Sequence, residues 1–293
     1  MASVIVSFCN NFRRYSEVGN NLVLAIVNIE TGDIQPIFIP DHVAIKGCTG
    51  IAILDGTYVV AGQSATSKLI YLNEHLAYSS DQTLMNVKGV HSLLTVGRQL
   101  LAVATGSDSI IEICGESICT IWRKNSFKID SIHLNSLTND NGRLAVSAFG
   151  PKVDGSWRDA RCGSAFYLDT EEAIFENLQQ PHSLLCSDNE LLVCDSSRGR
   201  FLIGNTSHNF EYGYARGLLG IGNKILVGSS ISRLYSESTG ERVPNPSEPG
   251  APVGSCGIAI YQKANEARSI VSKGFINLSA YANEIFEIKP YLP

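Results

Sequence analysis

The sequence predicts an all-β fold built from six copies of one unit, and three observations support this. A polar residue, a short apolar strand, a turn rich in Asp, Asn and Gly, and a second apolar strand recur five times. The recurring segments are Thr49 to Tyr58, His91 to Leu100, Asn135 to Leu144, His182 to Leu191 and Arg216 to Ile225. Their starting residues are 42, 44, 47 and 34 positions apart. A sixth copy is divided between the two ends of the chain.

These spacings are typical of a β-propeller, in which each repeat of roughly 40 to 50 residues forms one four-stranded blade. Two further strands follow each hairpin. Ser109 to Ile113 is followed by Ser117 to Trp122, and Gly163 to Asp169 is followed by Glu172 to Leu178. We therefore predict one domain over residues 1–293, a six-bladed β-propeller with four-stranded antiparallel blades.

The sixth blade is predicted to join the two ends of the chain. Asn283 to Ile288 fits a first strand, and Val4 to Ser7 fits the second strand that the C-terminal segment lacks. Leu22 to Asn28 and Ile34 to Ile39 complete the sheet. Pairing these segments closes the ring and leaves no exposed sheet edge between its ends. The fifth unit is the longest, because 67 residues separate Arg216 from Asn283.

Composition excludes several classes of protein. With 44% hydrophobic residues, 17% charged residues and a net charge of -5, the chain can bury a core and offers no basic stripe to nucleic acid. No apolar run approaches the ~20 residues needed to cross a bilayer, so we expect a soluble protein. The N-terminus lacks the pattern of a secretory signal, and the eight cysteines form no Cys-x-x-Cys pair. Buried reduced thiols and a cytoplasmic location are therefore expected.

The first strand of each blade lines the central channel of a propeller, so the residues that open these strands are predicted to meet at one mouth. They are Thr49, His91, Asn135, His182, Arg216 and Asn283. The loops between second and third strands lie at the same mouth: Cys9 to Asn21, Phe149 to Cys162, Asp195 to Arg198 and Ser229 to Ser255. Long loops on one face of a rigid scaffold commonly carry function. We place the functional site on this face.

Histidines are the first chemical signal at the predicted mouth. His133 and Asn135 point to the same side of an extended segment, and Pro181 fixes the backbone before His182. One interpretation makes His91, His133 and His182 ligands of a divalent metal. The other makes His133, His182 and Glu284 the catalytic groups of proton transfer. The residues alone leave both open.

Arginines are the second signal, because a guanidinium group suits a carboxylate, phosphate or sulfate. Arg216 and Arg233 are predicted to contact an anionic substrate, and Arg13, Arg14 and Arg161 also fall on the mouth loops. The full set of predicted substrate-binding residues is Arg216, Arg233, Trp157, Arg158, Asn135, His91, Asp195 and Asn283. The alternative is that some of these arginines form structural ion pairs with Asp154, Asp159 and Asp195.

Several short motifs resemble those of a known family. They are His133-Leu134-Asn135-Ser136-Leu137, Trp157-Arg158, Pro181-His182-Ser183-Leu184, Cys194 to Gly199, Ala215-Arg216-Gly217-Leu218, Val227 to Arg233 and Cys256-Gly257-Ile258. In this order they resemble a family of bacterial proteins catalogued as a domain of unknown function, with an expected β-propeller structure. The resemblance covers roughly residues 130–290 well and the first 90 residues weakly. It implies the fold and brings no established activity.

Two functions follow as hypotheses. The first is an enzyme that acts on a small polar, anionic substrate, such as a sugar derivative, by elimination, epimerisation or isomerisation, or hydrolysis. The second is a propeller that binds a ligand or a protein without chemistry. A purely structural ring would need an exposed apolar patch. The chain has no dinucleotide-binding glycine motif and no Walker motif, so no nucleotide cofactor is expected, and a divalent metal is the one cofactor that the residues suggest.

Overall fold

Each blade of the molecule is a meander of four antiparallel strands around a central channel. In this computed structural model, the described residues are 3–11, 22–124, 129–153, 155, 157, 160–231, 254–264 and 269–292. Three strands open the chain: β1 (Ser3–Phe8), β2 (Leu24–Asn28) and β3 (Ile34–Pro36). They belong to the blade that the C-terminus completes.

The next two blades follow in sequence. Blade 1 consists of β4 (Gly47–Leu54), β5 (Thr57–Gln63), β6 (Lys68–Leu72) and β7 (Tyr78–Thr83). Blade 2 consists of β8 (Val90–Val96), β9 (Gln99–Ala104), β10 (Ser109–Cys114) and β11 (Ser117–Arg123). Short 3-10 turns at Asp41–Val43 and Thr105–Ser107 lie in their connections.

Blades 3 to 5 repeat the arrangement. Blade 3 consists of β12 (Leu134–Asp140), β13 (Arg143–Ala148), β14 (Gly163–Tyr167) and β15 (Ala173–Leu178). Blade 4 consists of β16 (Pro181–Ser187), β17 (Glu190–Asp195), β18 (Arg200–Ile203) and β19 (Thr206–Asn209), with a 3-10 turn at Ser196–Arg198. Blade 5 consists of β20 (Tyr214–Ile221), β21 (Lys224–Ser230), β22 (Gly257–Lys263) and β23 (Ile270–Asn277).

The sixth blade confirms the predicted closure. Its innermost strand is β24 (Ile285–Pro290), which pairs antiparallel with β1, and the sheet runs in the order β24, β1, β2, β3. The innermost strands of successive blades are in contact around the whole circle, including β24 with β4. The six-bladed propeller with four-stranded antiparallel blades is therefore confirmed. Among the described residues, no helix is long and apolar enough to cross a membrane.

In the described part of the chain, the hydrophobic core consists of six separate clusters, one at each interface between neighbouring blades. Side chains alternate between the two faces of a strand, so one strand serves two interfaces. In β1, Val4 and Val6 pack toward blade 5, whereas Ile5 packs toward blade 1. The fold is thus stabilised by blade-to-blade packing, and the axis is left for polar residues.

The innermost strand of each blade carries a register irregularity near the mouth. In β16, for example, His182 pairs with Cys194, and the next paired residue is Leu185. Equivalent shifts occur in the other five innermost strands. A β-bulge redirects side chains and commonly lies beside a functional site. Here the bulges turn the opening residues of the strands toward the channel mouth.

Hydrogen bonds between consecutive innermost strands fix which residues are equivalent. The backbone N–H of Leu184 donates to Ser136 Oγ (2.7 Å), and that of Leu137 donates to Ser92 Oγ (3.4 Å). The N–H of Ile51 donates to Glu287 Oε2 in the same way (2.7 Å). In blade 5 the donor lies one residue earlier, because the N–H of Gly217 donates to Ser183 Oγ (2.7 Å). In blade 1 the residue equivalent to Ser136 is Gly50. A Cβ atom on Gly50 would lie 2.6 Å from the backbone nitrogen of Leu93.

Candidate functional site

In each innermost strand, the residue that precedes the position equivalent to Ser136 lies at the channel mouth. Together these residues form a ring. The ring consists of Thr49, His91, Asn135, His182, Arg216 and Phe286. Five members are those that the sequence predicts. The sixth prediction, Asn283, is wrong by three residues, because β24 begins at Ile285 and its bulge places Phe286 in the ring.

In this arrangement, Thr49 and Asn283 make hydrogen bonds that link segments of the fold. Thr49 is completely buried, and its hydroxyl donates to the carbonyl of Val90 (2.6 Å) in the next blade. Asn283 lies just before β24, and its backbone carbonyl accepts a hydrogen bond from the N–H of Ile231 (2.8 Å). The substrate contact predicted for Asn283 stays a prediction.

His182 is the most deeply buried histidine of the ring, with 1% of its surface exposed. Its Nδ1 lies 2.9 Å from the carbonyl of Gln180, which can only accept, so Nδ1 carries the proton. Ser196 Oγ lies 3.0 Å from the same nitrogen and donates its own proton to the carbonyl of Ala215 (2.7 Å). Consequently Nε2 of the neutral ring presents a lone pair.

The surroundings of His182 are aromatic. Its ring makes edge contacts with Phe149 and Tyr214, at centroid distances of 5.1 and 5.3 Å, and with Phe286 at 6.3 Å. This apolar enclosure excludes water from the imidazole, which favours its uncharged form.

The pKa of His182 lies well below its ordinary value. Burial is the main cause, and the positive charge of Arg216 adds to it; the nearby His91 and His133 act in the same direction more weakly. The hydrogen bond to the backbone carbonyl of Gln180 opposes the shift. His182 is therefore a neutral imidazole at physiological pH, in the state required of a general base.

His133 forms a second polar unit with Asp130, a residue that sequence reasoning did not single out. His133 Nδ1 lies 2.9 Å from Asp130 Oδ1, and the indole N–H of Trp157 donates to Asp130 Oδ2 (3.2 Å). Lys152 Nζ lies 3.8 Å from the same oxygen. The imidazole also contacts the rings of Phe149 and Trp157, at 4.5 and 4.8 Å. Asp130 thus fixes the orientation of His133.

The backbone at His133 is unusual as well. Its φ of +52° lies in the left-handed region, which costs a residue with a side chain about 1 kcal/mol. Gln180, whose carbonyl holds His182, has a φ of +51°. Both histidines are thus positioned by strained backbone at the mouth, a feature that often accompanies functional sites.

His91 and Asn135 connect the two histidine units. Asn135 Nδ2 lies 3.4 Å from His91 Nδ1, and the His91 ring contacts His133 (5.2 Å) and Phe286 (5.4 Å) edge to face. The three imidazoles that the sequence predicts at one mouth are therefore brought together.

The second half of the site is a buried ionic group. Arg216 Nη1 donates to Glu284 Oε2 (3.1 Å) and to Cys9 Sγ (3.2 Å), and the Cys9 thiol donates to the same carboxylate oxygen (3.2 Å). The guanidinium lies over the rings of Tyr214 and Phe286, at 5.3 and 5.1 Å from their centroids. Cation–π contacts of this kind stabilise a desolvated arginine.

One donor of this arginine is unused. Arg216 is 8% exposed, and its buried Nε finds no hydrogen-bond partner among the described residues. A buried N–H without an acceptor costs free energy. An anion that accepts a hydrogen bond from it therefore binds more tightly than it would at an exposed N–H. The unpartnered N–H makes Arg216 a candidate anion-binding group.

The remaining predicted residues divide into two groups. Asp195 is fully buried, and its carboxylate accepts from Gln179 N–H (2.6 Å), Arg200 Nε (2.7 Å) and Arg198 Nη1 (3.2 Å). These contacts hold the turn after β17, so we do not include Asp195 in the proposed site. A second group lies outside the described residues and comprises Arg13, Arg14, Asp154, Arg158, Asp159 and Arg233.

The predicted metal role of His91, His133 and His182 receives no geometric support. In the part of the chain that the structure describes, no three His, Cys, Asp or Glu side chains are arranged to hold a metal ion. His91 and His133 contact each other, and His182 contacts aromatic rings that the other two histidines also contact, Phe149 and Phe286. We therefore derive no chemistry through a metal.

Below the ring, the channel widens into a cavity of about 220 Å³. Its wall includes His91, Asn135 and Phe286 from the ring and Glu287 and Lys289 farther along β24. Burial is the main cause that raises the pKa of Glu287 above its ordinary value, although Lys289 Nζ lies 2.8 Å from its carboxylate. The cavity has room for a small polar molecule.

Sequence reasoning missed the residues that position the predicted ones: Cys9, Asp130, Phe149, Gln180, Ser196 and Phe286. Most have no local signal, because their partners are distant along the chain. Phe286 alone could have been found from the sequence. Aligning Glu287 with the equivalent Ser136 and Ser183 places Phe286 one residue earlier, in the ring.

The comparison with protein families agrees with this architecture. Residues 63–292 match the family described as a domain of unknown function, DUF4915. The chain belongs to this family. A search of curated proteins finds no match for this DUF4915 member.

Solved structures resemble this DUF4915 protein in fold. The structure of a nidogen/laminin complex aligns with a TM-score of 0.62 and 10% identity, over 99% of this chain and 98% of that chain. A Bacteroides uniformis protein provisionally assigned as a 6-phosphogluconolactonase aligns with a TM-score of 0.55 and 11% identity, over 94% and 82%. The PQQ-bound aldose sugar dehydrogenase of Streptomyces coelicolor aligns with a TM-score of 0.51 and 12% identity, over 82% and 88%. At such identities the similarity concerns the fold.

Proposed function

We propose that this protein is an enzyme that acts on a small polar, anionic substrate by histidine acid–base chemistry at the channel mouth. The observation that carries the proposal is the adjacency of two groups. His182 is a buried neutral base with a fixed tautomer, and Arg216 beside it has a buried N–H without a partner. An anion held by Arg216 lies close to the lone pair of His182 Nε2.

The proposed roles follow from these positions. Arg216 binds the anionic group of the substrate, and His182 Nε2 accepts a proton from a carbon, a hydroxyl group or a water molecule. His133, oriented by Asp130, exchanges the second proton. Both imidazoles contact the ring of Phe149, so one molecule at the mouth can reach both. Elimination, epimerisation and hydrolysis all need two such groups.

A sugar acid or sugar lactone is the first substrate class to test. The channel wall is rich in hydroxyl and amide groups, including Ser92, Asn135, Ser136 and Asn139, which suit a polyhydroxylated molecule. Two of the fold neighbours carry the names of sugar-acting enzymes, which supports the choice of compounds without assigning the substrate.

The test is a panel of sugar lactones and sugar carboxylates, with 1,5-gluconolactone as its first compound, incubated in D₂O and followed by proton NMR. Opening of the lactone, or exchange of a carbon-bound proton, reports turnover. We expect His182→Gln to lower kcat about 10²- to 10⁴-fold, the usual contribution of a general base, while binding by calorimetry persists. His208→Gln is the matched control, since His208 packs on Phe201 in the outermost strand of blade 4.

Unchanged turnover in both His133→Ala and His182→Ala would contradict the enzyme. Binding of a panel compound with no turnover would favour the alternative, a non-catalytic binding propeller. One observation favours that alternative: Phe38, Met85 and Ile129 are 75%, 69% and 82% exposed on segments that lead into first strands at the mouth.

A further inference from the structure

Cys9 is a buried thiol at the mouth that the proposed proton transfer does not use. It follows β1 directly, and its Sγ lies 3.2 Å from both Arg216 Nη1 and Glu284 Oε2. Asn10, the next residue, has a φ of +52°, and its Nδ2 lies 3.5 Å from the same Glu284 oxygen. The chain therefore turns sharply after Cys9 and keeps the thiol beside the ion pair.

The contacts of Cys9 differ in kind from those of two other buried cysteines, Cys48 and Cys194. Burial raises the pKa of the Cys48 and Cys194 thiols, which are enclosed mainly by apolar side chains. Cys9 instead has a guanidinium that stabilises a thiolate and a carboxylate that can take the proton. A thiol becomes a nucleophile through such an adjacent cation and base.

Arg216 supplies a second, independent feature. Its Nε–H is buried and has no partner among the described residues. Nε and Nη1 belong to the same guanidinium, so one group contacts Sγ through Nη1 and can bind an anion through Nε. The nucleophile and the anion-binding donor are thus parts of one arginine-centred unit.

We propose that Cys9 is a nucleophilic thiol that forms a covalent adduct with small electrophiles carrying a carboxylate. In this step the Cys9 proton passes to Glu284, and the sulfur lone pair forms a C–S bond to the electrophilic carbon. For an α-halo acid, the carbon–halogen bond breaks and halide leaves with its electron pair. Glu284 then releases the proton to solvent.

This inference shares Arg216 with the proposed function and does not depend on turnover. Alkylation of Cys9 is measured without a substrate, by mass spectrometry of the peptide that contains it. If Cys9 does not react while His182→Gln abolishes turnover, only the present inference fails. If Cys9 reacts and no compound of the panel is turned over, only the enzyme proposal fails.

The experiment compares iodoacetate, which carries a carboxylate, with iodoacetamide, which is neutral, on the native full-length protein. Exposed Cys114 is the reference thiol, and buried Cys48 is the reference for slow reaction through unfolding. We expect the ratio of the iodoacetate rate to the iodoacetamide rate to be about tenfold higher at Cys9 than at Cys114, the size of one charge-assisted hydrogen bond.

Two variants then separate nucleophile activation from loose packing. Arg216→Gln should slow the reaction of iodoacetate with Cys9. The ratio of the iodoacetate rate to the iodoacetamide rate at Cys9 should then fall to that at Cys114. Glu284→Gln should slow iodoacetate and iodoacetamide alike at Cys9, because the carboxylate that takes the thiol proton is lost, and the rate ratio should stay at least as high as in the unmodified protein. Loosened packing would instead accelerate both reagents in both variants. If Arg216→Gln does not fold, Arg216→Lys, which keeps the charge and lacks Nε, should lower the ratio.

Two results would overturn the inference. One is native Cys9 that reacts no faster than Cys48. The other is a rate ratio that Arg216→Gln leaves unchanged, or a Cys9 rate that Glu284→Gln does not lower. A raised iodoacetate ratio that Arg216→Gln abolishes, together with slower reaction of both reagents in Glu284→Gln, establishes the inference.

Discussion

Arg216 and Glu284 form an ion pair across the seam between blades 5 and 6, with 3.1 Å between Nη1 and Oε2 and little exposure of either side chain. Arg216 belongs to β20, and Glu284 immediately precedes β24. Cys9, which touches both, comes from the opposite end of the chain. The closure of the ring and the half of the site proposed to bind an anion are therefore built from the same residues.

The first prediction concerns this ion pair. Glu284→Ala leaves the Arg216 charge buried without its partner, and we expect the free energy of unfolding to fall by about 3–5 kcal/mol. Replacing both residues with apolar ones, as Arg216→Met with Glu284→Leu, should lower the free energy of unfolding by clearly less than Glu284→Ala does. Urea denaturation of the single and double variants measures the coupling. Additive losses would show that the pair is not energetically linked.

The second prediction concerns stability against pH. The pKa of His182 is lowered in the folded protein, chiefly by burial and then by Arg216, whereas in the unfolded chain it is near the ordinary 6.5. Below pH 6.5 the unfolded chain binds a proton at His182 that the folded protein does not bind, so the free energy of unfolding falls as pH falls. The slope is at most about 1.4 kcal/mol per pH unit from this group.

Urea midpoints at pH 7.5 and pH 5.5 test this pH dependence. His182→Gln should show a smaller loss between the two values than the unmodified protein does. His75→Gln, at a histidine whose side chain is largely exposed, serves as the comparison. Equal losses in the His182 variant and the unmodified protein would show that His182 does not contribute.

The third prediction concerns Asp130, which accepts from His133 Nδ1 and from the indole of Trp157. Asp130→Asn keeps the shape of the side chain and removes the negative charge that orients the His133 tautomer. With a compound that the protein is found to turn over, kcat should fall at least about tenfold with little change in KM, and the pH profile of kcat should shift. A merely structural residue would lower stability and leave the pH profile in place.

The fourth prediction separates Asp195 from the substrate site. Asp195→Asn weakens the bonds to Arg198 and Arg200, and we expect a loss of about 1–3 kcal/mol in the free energy of unfolding. The dissociation constant of a panel compound that binds at the mouth should not change. A weaker binding constant in a fully folded Asp195→Asn variant would return this residue to the substrate-binding set.

Much of the fold could be predicted because the repeat signal is local. Asp55-Gly56 and Asn141-Gly142 both adopt positive φ at two successive residues, as tight hairpin turns require. The second strands of the five complete units begin within one residue of the predicted positions. Turn chemistry and alternating apolar residues are properties of neighbouring positions, so a single sequence suffices to read them.

The site could be predicted only in part. The sequence identified His91, Asn135, His182 and Arg216 as ring members, because they open repeats and need no knowledge of partners. It misplaced the ring member of the sixth blade, where the register of β24 against β1 decides that Phe286 points inward. Register across 280 residues depends on bulges and packing, which no local pattern encodes.

The sequence by itself determined the blade count, the closure of the ring and the face on which His91, His182 and Arg216 lie around Phe286. Tertiary structure alone decided their chemistry: Gln180 and Ser196 select the tautomer of His182, Asp130 orients His133, and Cys9 joins Arg216 with Glu284. The physical reason is that protonation and hydrogen bonding depend on distances of about 3 Å and on burial. Such distances arise only when segments far apart in the chain pack together.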